Sequence, residues 1–269
     1  NSNYQDKNIE HRFRNKDALA ICNQVTEKFP KSLGAKKCEL LKQQITHKTL
    51  SVVSEKFVPI DSSSRLLITY NNIDELFFTT YKINKEQLEE LNKLREEEKR
   101  IRFINQLEKV TTWKNKLRNE FDYKSHTTEI IVPKLNQGNY LVVAHENNNT
   151  NTTGLYATAN IQVTNLALIE SNNNNIKTYQ VVNRNNGKPI KNAKLLIENR
   201  QRRYGKTIKK ELITDANGFA TFKSNHTYYN VFITVTTKQD KAIFGDYYLY
   251  KHEKQIAEED KDETIIKPF

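Results

Sequence analysis

The sequence is poor in several residue types that mark catalytic or membrane-spanning proteins. Its 269 residues include no methionine, one tryptophan, two cysteines, five prolines and seven glycines. No apolar stretch approaches the roughly 20 residues that a membrane-spanning helix needs, so no transmembrane segment is predicted. The absence of methionine predicts that the chain is a processed or excised piece of a longer protein, from which any signal peptide would already have been removed.

Sequence motifs of common enzyme classes are also missing. The six histidines are scattered, without the H-x-x-x-H or H-E-x-x-H spacing that binds zinc. There is no G-x-S-x-G elbow and no glycine-rich phosphate loop. The stretch "DANG" has the start of a calcium loop, but Phe219 replaces the next oxygen ligand and no glutamate follows at the twelfth position. We therefore expect no catalytic, cofactor-binding or metal-binding residues, and no enzyme.

What the sequence has in excess is positive charge, with 43 basic and 32 acidic residues and a net charge of +11. Such a charge permits binding to nucleic acid or to an anionic surface. The basic residues are, however, spread along the whole chain, and the densest run, Asn199–Lys210, is equally typical of an exposed hairpin. Nucleic acid is therefore disfavoured as a partner.

Residues 1–47 show a helical pattern that predicts a helical hairpin resembling half of a tetratricopeptide array. Pro30 separates the two predicted helices, because proline disfavours a helical conformation in the residue before it, and Ser32 is a suitable N-cap for the second. Period-3.6 spacing predicts one packed face on each helix. These faces comprise Ala18, Ile21 and Val25 on the first helix and Leu33, Ala35, Cys38, Leu41 and Ile45 on the second.

The pattern changes to period two in residues 48–160, which predicts an antiparallel β-sandwich. One predicted strand face holds Leu66, Ile68 and Tyr70, and another holds Phe77, Thr79 and Tyr81. Between strands, about residues 84–110 lack glycine and proline and are rich in Glu, Lys, Leu and Arg, which favours an inserted helix lying against the sheet. A coiled-coil helix is the alternative, but the leucine seam is too short to sustain several heptads.

Residues 161–252 predict a second β-sandwich, with Val231, Ile233 and Val235 on one strand face. Residues 253–269 are highly charged and predict a linker to a further domain. The Asn/Thr-rich stretch Asn147–Thr153 predicts an exposed hairpin turn. Trp113 and Tyr123 are interpreted as packing residues in a core or between domains, in preference to a platform for a ligand.

The most informative stretch is "NNGKPIKNAKLLI" with "LITDANGFATF" downstream. Asn186-Gly187 is a turn dipeptide, and Pro189 lacks a backbone donor and fits the edge or start of a strand. Ala193 begins an inward-facing row at period two, and its small side chain lets a facing sheet approach closely. Asp215 to Gly218 predicts a second turn. This pair resembles a strand–turn signature shared by several small extracytoplasmic immunoglobulin-like sandwiches.

Two further stretches favour one family among those that share this signature. "PKLNQGNYLVVAHE" resembles the segment that closes a macroglobulin-type domain, and "ANIQVTNLALIES" resembles the strand that opens the next one. Their order is similar to that in the N-terminal domain array of bacterial α2-macroglobulin family proteins, especially those of Bacteroidetes type. The resemblance implies a mainly β fold of tandem immunoglobulin-like, macroglobulin-type antiparallel sandwiches, with an N-terminal helical hairpin and a helical insertion in the first sandwich.

The resemblance also implies a function and a location. Members of the family are large proteins, periplasmic or anchored to the outer membrane, that trap proteases after a bait segment is cleaved, and many use an internal thioester. Neither cysteine lies in a C-G-E-Q motif, so the thioester is not in this chain. We expect structural domains whose partners are neighbouring domains of the same protein, with proteases as targets of the parent. The alternative is a β-sandwich binding module for adhesion or for association with an outer-membrane receptor.

The two cysteines admit two interpretations. Cys22 and Cys38 each lie eight residues from Pro30, one on each predicted helix, so an antiparallel hairpin would place them at similar heights. They could form a disulfide, or they could be two small thiols packed at the helix crossing. The oxidising compartment that the resemblance implies favours the disulfide.

Overall fold

The computed structural model describes residues 11–148, 154–173, 175–199 and 206–251. The chain forms two compact units. The first unit comprises Asn1–Lys56, Ser63–Lys134 and Asn139–Ile161, and the second comprises Phe57–Ser62, Leu135–Gly138 and Gln162–Phe269. The domain boundaries drawn from the sequence at residues 47 and 160 stay predictions. The predicted linker at 253–269 and most of the Asn/Thr turn lie outside the described residues.

The first unit begins with the two predicted helices, α1 (Arg14–Lys28) and α2 (Leu33–Thr46), which pack against each other. The Ser32 hydroxyl accepts a hydrogen bond from the Ala35 backbone N–H at 3.0 Å and caps α2 as predicted. The predicted packing faces were partly wrong. Only Cys22 and Ala35 are buried in the two helices, and three residues assigned to the faces are exposed: Ile21 (61%), Leu33 (70%) and Leu41 (39%).

The error has a simple geometric cause. Successive side chains on an α-helix point about 100° apart. When the packed face is centred one residue later than predicted, the preceding residue no longer lies in the contact. On α1 the contact face contains Cys22 instead of Ile21, and on α2 it contains Ala35 and Cys38. The hairpin thus buries only small residues, half-buries Leu19, Val25 and Ile45, and leaves four larger aliphatic side chains in solvent: Ile21, Leu33, Leu40 and Leu41.

A three-stranded antiparallel sheet follows in the first unit, in the order β1 (Thr49–Ser54), β3 (Ser64–Asn71) and β6 (His126–Val132). The inward face of β3 is the predicted one, with Leu66 and Ile68 fully buried and Tyr70 3% exposed. The Tyr70 hydroxyl donates a hydrogen bond to the Arg118 carbonyl oxygen at 2.7 Å. This bond satisfies the one polar atom that the ring would otherwise bury without a partner.

A second sheet carries β8 (Tyr156–Val163), β7 (Gly138–His145), β4 (Glu75–Lys82) and β5 (Glu108–Lys116), in that order. On β4, Thr79 pairs with Val143 and Tyr81 with Leu141, so these four side chains share one face, as the period-two pattern predicts for β4. That face packs against the inserted helices. Both faces of β7 are buried, which explains its unbroken apolar run "YLVVA".

The insertion between β4 and β5 differs from the single helix that the composition predicts. It contains two helices, α3 (Lys85–Lys93) and α4 (Glu97–Asn105), and β5 already begins at Glu108. Leu94 ends α3 in an extended conformation, and the Arg100 side chain of α4 donates hydrogen bonds to the carbonyl oxygens of Leu91 (3.0 Å) and Leu94 (3.3 Å). The break lets Leu91 and Ile104 both pack against the sheet.

The second unit is built from two antiparallel sheets. One has the order β13 (Phe219–Lys223), β10 (Ile176–Asn183), β9 (Leu166–Asn173); the other has β12 (Lys209–Ile213), β11 (Lys194–Asn199), β14 (Tyr228–Thr236), β15 (Lys241–Leu249). Both contribute to one apolar core. The short strand β2 (Phe57–Val58) pairs in parallel with Gln162 and Val163 of β8. The predicted inward face of β14 is confirmed, because Val231, Ile233 and Val235 are fully buried.

The architecture is therefore mainly β, with antiparallel immunoglobulin-like sheets, an N-terminal helical hairpin and a helical insertion, as predicted. The basic stretch Asn199–Lys210 begins at the end of β11 and reaches β12, and these two strands pair antiparallel. Its residues 200–205 lie outside the described part of the chain.

Candidate functional site

The signature residues Gly187 and Pro189 lie in the connection between β10 and β11. Gly187 has a φ of +70°, and its backbone N–H donates a hydrogen bond to the Asn183 carbonyl oxygen at 2.8 Å. Glycine suits this position because the left-handed region is costly for other residues. Pro189 forms an isolated antiparallel bridge with Val182 of β10. Both residues therefore shape the backbone of a turn and the start of a sheet edge.

Ala193 lies immediately before β11 and is fully buried in the core of the second unit. Thr214 holds it there through two hydrogen bonds and forms a third to Ile190. The Ala193 N–H donates to Thr214 Oγ1 (2.8 Å), the Thr214 N–H donates to the Ala193 carbonyl oxygen (3.0 Å), and Thr214 Oγ1 donates to the Ile190 carbonyl oxygen (2.7 Å). The sequence analysis missed Thr214, whose only signal was a polar residue beside the "DANG" turn.

The carboxylate of Asp215 stabilises the turn from Asp215 to Gly218. Asp215 Oδ1 accepts hydrogen bonds from the backbone N–H groups of Asn217 (2.8 Å) and Phe219 (2.9 Å). Gly218 has a φ of +77°, and a Cβ atom there would lie 2.5 Å from the Val181 carbonyl oxygen. The carboxylate oxygen that a calcium loop would offer to a cation is thus engaged by the turn, and glycine is required by both conformation and space.

Three buried polar residues of the second unit were also missed. Asp240 Oδ2 accepts hydrogen bonds from Thr164 Oγ1 (2.9 Å) and the Asn165 N–H (2.7 Å). The Gln162 side chain exchanges two hydrogen bonds with the backbone of Ile243, at 2.8 and 3.1 Å. These contacts attach the end of β8 and the β8–β9 connection to β15 and to the residue before it. Thr164 and Asn165 belong to the "QVTNLA" stretch that carried part of the resemblance.

The two cysteines are free thiols in the structure, and they face each other across the helix crossing. Cys22 is 3% exposed, and Cys38 is partly exposed. The Cys22 thiol and the Cys38 thiol are neighbours close enough to interact. The neighbouring Cys38 thiol, together with burial, raises the pKa of the Cys22 thiol above its usual value. The pairing inferred from the sequence stays a prediction.

A charged cluster joins the start of the hairpin to the segment after β5. The Arg12 guanidinium contacts Glu120 Oε2 at 2.7 Å and Asp122 Oδ2 at 3.2 Å, and His126 Nε2 lies 2.8 Å from Asp122 Oδ1. Burial acts to raise the pKa of Asp122. Hydrogen bonds with His126, the Lys124 backbone and Arg12 outweigh it, so the pKa lies below its usual value. The cluster is a structural anchor for the hairpin.

A basic groove of about 860 Å³ lies in the first unit. It is lined by Thr46, His47, Lys48, Arg95, Glu97, Arg100, Gly154, Leu155 and Tyr156. Lys48 forms an ion pair with Glu146, and Arg100 is held by the two carbonyl oxygens at the end of α3. Two of its three permanent cations thus have partners. The groove could attract an acidic partner, but it holds no arrangement for acid–base or nucleophilic chemistry.

Exposed tyrosines form a patch on β14, on β15 and on the residue that follows β15 in the second unit. Tyr229, Tyr248 and Tyr250 are 47%, 52% and 53% exposed. Their rings contact in series, with centroids 5.8 Å apart for Tyr229 and Tyr248 and 6.3 Å apart for Tyr248 and Tyr250. Tyrosine is enriched at protein interfaces, where its ring adds area and its hydroxyl stays paired. The patch is therefore a candidate contact surface. Trp113, in contrast, stacks on Phe78 in the first unit at 5.0 Å.

Among the described residues, no group of three or more His, Cys, Asp or Glu side chains is placed to hold a metal ion. None of the helices in the described part of the chain has the length and apolar character required to cross a membrane.

The comparison with solved structures identifies the fold. One match is native α2-macroglobulin from Escherichia coli spanning domains MG0-NIE-MG1, with a TM-score of 0.51, 11% identity, and coverage of 73% of this chain and 64% of that one. A second is the same protein spanning domains NIE-MG1, with a TM-score of 0.50, 13% identity, and coverage of 73% and 96%. The chain has the fold of bacterial α2-macroglobulin domains.

A further match is to a much longer chain. Salmonella α2-macroglobulin reacted with methylamine matches with a TM-score of 0.49 and 11% identity, over 72% of this chain and 12% of that chain. The chain spans about two thirds (64%) of the length of the Escherichia coli MG0-NIE-MG1 segment. No protein-family model matches the sequence, and no curated protein matches it at a significant level.

Proposed function

We propose that this chain provides non-catalytic macroglobulin-like domains of a bacterial α2-macroglobulin-like protein that traps proteases. The observation that carries the proposal is the shared fold with the MG0-NIE-MG1 and NIE-MG1 segments of the Escherichia coli protein. The sequence stretches that resemble consecutive macroglobulin domains support it. In this role the domains are extracytoplasmic, periplasmic or attached to the outer membrane through the parent protein, and they position their neighbours in the array.

The signature residues fit a structural role. Gly187, Pro189 and Gly218 set backbone turns, Ala193 fills the core, and Asp215 binds backbone N–H groups of its own turn. The tyrosine patch fits a contact with a neighbouring domain, because exposed aromatic side chains gain most from burial at an interface. Nothing in this role requires a cofactor, and the expected partners are neighbouring domains, with proteases as targets of the parent.

The test uses the full-length parent protein with an active protease and, as the control, the same protease inactivated at its catalytic residue. We expect active protease to compact the parent, seen by small-angle scattering, and to co-elute with it in size-exclusion chromatography. The inactivated protease should do neither, because no bait would be cut. Ordinary digestion without capture would contradict the proposal. Specific binding of the intact parent to a cell surface or an outer-membrane receptor would instead favour the alternative of an adhesion or receptor-associated module.

A further inference from the structure

We propose that Cys22 and Cys38 are a disulfide-forming pair that staples the helical hairpin closed in the mature protein. The two residues are the only cysteines of the chain. They lie on two helices that pack against each other, Cys22 buried on α1 and Cys38 half-buried on α2, and the two thiols are close enough to interact. A disulfide between them requires the two sulfur atoms to approach to about 2.05 Å.

The hairpin needs such a link because it has almost no apolar core of its own. Only Cys22 and Ala35 are buried in α1 and α2, and Ile21, Leu33 and Leu40 are 61%, 70% and 61% exposed. Small units that cannot bury enough apolar surface are commonly held by disulfides. The buried Cys22 and the half-buried Cys38 thus lie where a covalent link would replace a missing core.

Polar contacts hold the base of the hairpin but not its middle. At its start, the Arg12 side chain binds Glu120 and Asp122. At its end, Asn72 Nδ2 donates hydrogen bonds to the carbonyl oxygens of Ile45 and His47, both at 2.9 Å. The cysteines lie between these anchors and the Pro30 turn. A bridge there would close the loop formed by residues 23–37 and restrict the opening of both helices.

The exposures of the two sulfurs suggest the order of the chemistry. A protein disulfide or an oxidised low-molecular-weight disulfide, RSSR, reacts first with the partly exposed Cys38 thiolate, which forms Cys38–S–S–R and releases one RSH. The Cys22 thiolate then attacks the Cys38 sulfur, forms the Cys22–Cys38 bond and releases the second RSH. Two protein thiols are oxidised and one RSSR is reduced to two RSH. Because the pKa of Cys22 is raised, we expect the second step to accelerate with alkaline pH.

The test measures thiols in the whole chain after equilibration in a glutathione buffer of secretory-compartment potential. Under denaturing conditions without reductant, we expect no alkylation, a mass lower by two hydrogens than that of the reduced chain, and a cross-linked proteolytic peptide joining α1 to α2. After reduction, both cysteines should be alkylated. Proteolysis within α1 and α2 should accelerate on reduction, up to about a hundredfold if loop-closure entropy sets the stability of the hairpin.

A matched control moves one thiol out of the contact. In the double variant Ile21→Cys/Cys22→Ser, the α1 thiol lies at the exposed position 21, about 100° around the helix from position 22. This variant should stay fully alkylatable in the same buffer. Free thiols in the oxidised wild-type chain, intermolecular dimers in place of the internal link, or equally efficient bridging by the control would each overturn the proposal.

Discussion

The helical hairpin and the second β unit are stabilised in different ways. The second unit has a core of fully buried aliphatic side chains from both sheets, among them Leu195, Ile197 and Ile233. The hairpin fully buries only one cysteine and one alanine, and several of its larger aliphatic residues are exposed. Its attachment depends on ion pairs and side-chain hydrogen bonds to the rest of the first unit. Apolar burial therefore dominates in one region, and polar anchoring in the other.

The largest expected effect tests the apolar side of this contrast. Ile233→Ala should lower the free energy of unfolding by about 2–5 kcal/mol, because it removes a fully buried side chain and leaves a cavity. The matched hairpin substitution Leu40→Ala changes a residue that is 61% exposed and should stay within about 0.5 kcal/mol. Denaturant unfolding monitored by circular dichroism measures both. Equal losses for the two variants would remove the contrast.

The next effect separates two glycines of the same unit. Gly187→Ala places a Cβ in open space at a φ of +70° and should cost about 1 kcal/mol. Gly218→Ala adds a clash with the Val181 carbonyl oxygen, 2.5 Å from the new Cβ, to a similar backbone cost, and should lose clearly more. Thermal unfolding of both variants gives the comparison. A smaller loss at 218 than at 187 would mean that the turn beside Val181 relaxes freely.

The smallest expected effect concerns the polar anchor of the hairpin. The pKa of Asp122 is lower in the folded state than in the unfolded state. The contribution of Asp122 to stability is therefore complete above the unfolded pKa of about 3.9 and is lost as the pH falls through the folded pKa. Asp122→Asn should cost about 0.5–1 kcal/mol at neutral pH and should weaken the acid dependence below about pH 4. Proteolysis within α1 across that pH range measures it. An unchanged acid profile would show that Asp122 does not couple to the hairpin.

Sequence reasoning was most successful where side chains alternate about a single buried face. On β3 and β14 the period-two pattern named the buried residues, because a strand has only two faces. On α1 the same kind of reasoning selected Ile21 instead of Cys22, because the hairpin packs through small residues and a helix offers a continuous range of faces. Amphipathicity is a weak guide when the larger aliphatic residues point to solvent.

Tertiary contacts account for what the sequence could not predict. The break at Leu94 depends on hydrogen bonds from Arg100, six residues further along, and on packing of both α3 and α4 against one sheet. The roles of Thr214 and Asp240 depend on partners distant in the chain, Ile190 and Thr164. Such polar contacts have no periodic pattern, so local propensity cannot reveal them.

Amide hydrogen exchange of the whole chain, with both cysteines reduced, tests the contrast between the two regions most directly. We expect the amides of β11 and β14 to exchange only when the second unit unfolds, and those of α1 and α2 to exchange by local opening, at least about tenfold faster after correction for intrinsic rates. Equal protection of the helices and these strands would contradict the account, because it would show that the polar anchors hold the hairpin as firmly as an apolar core.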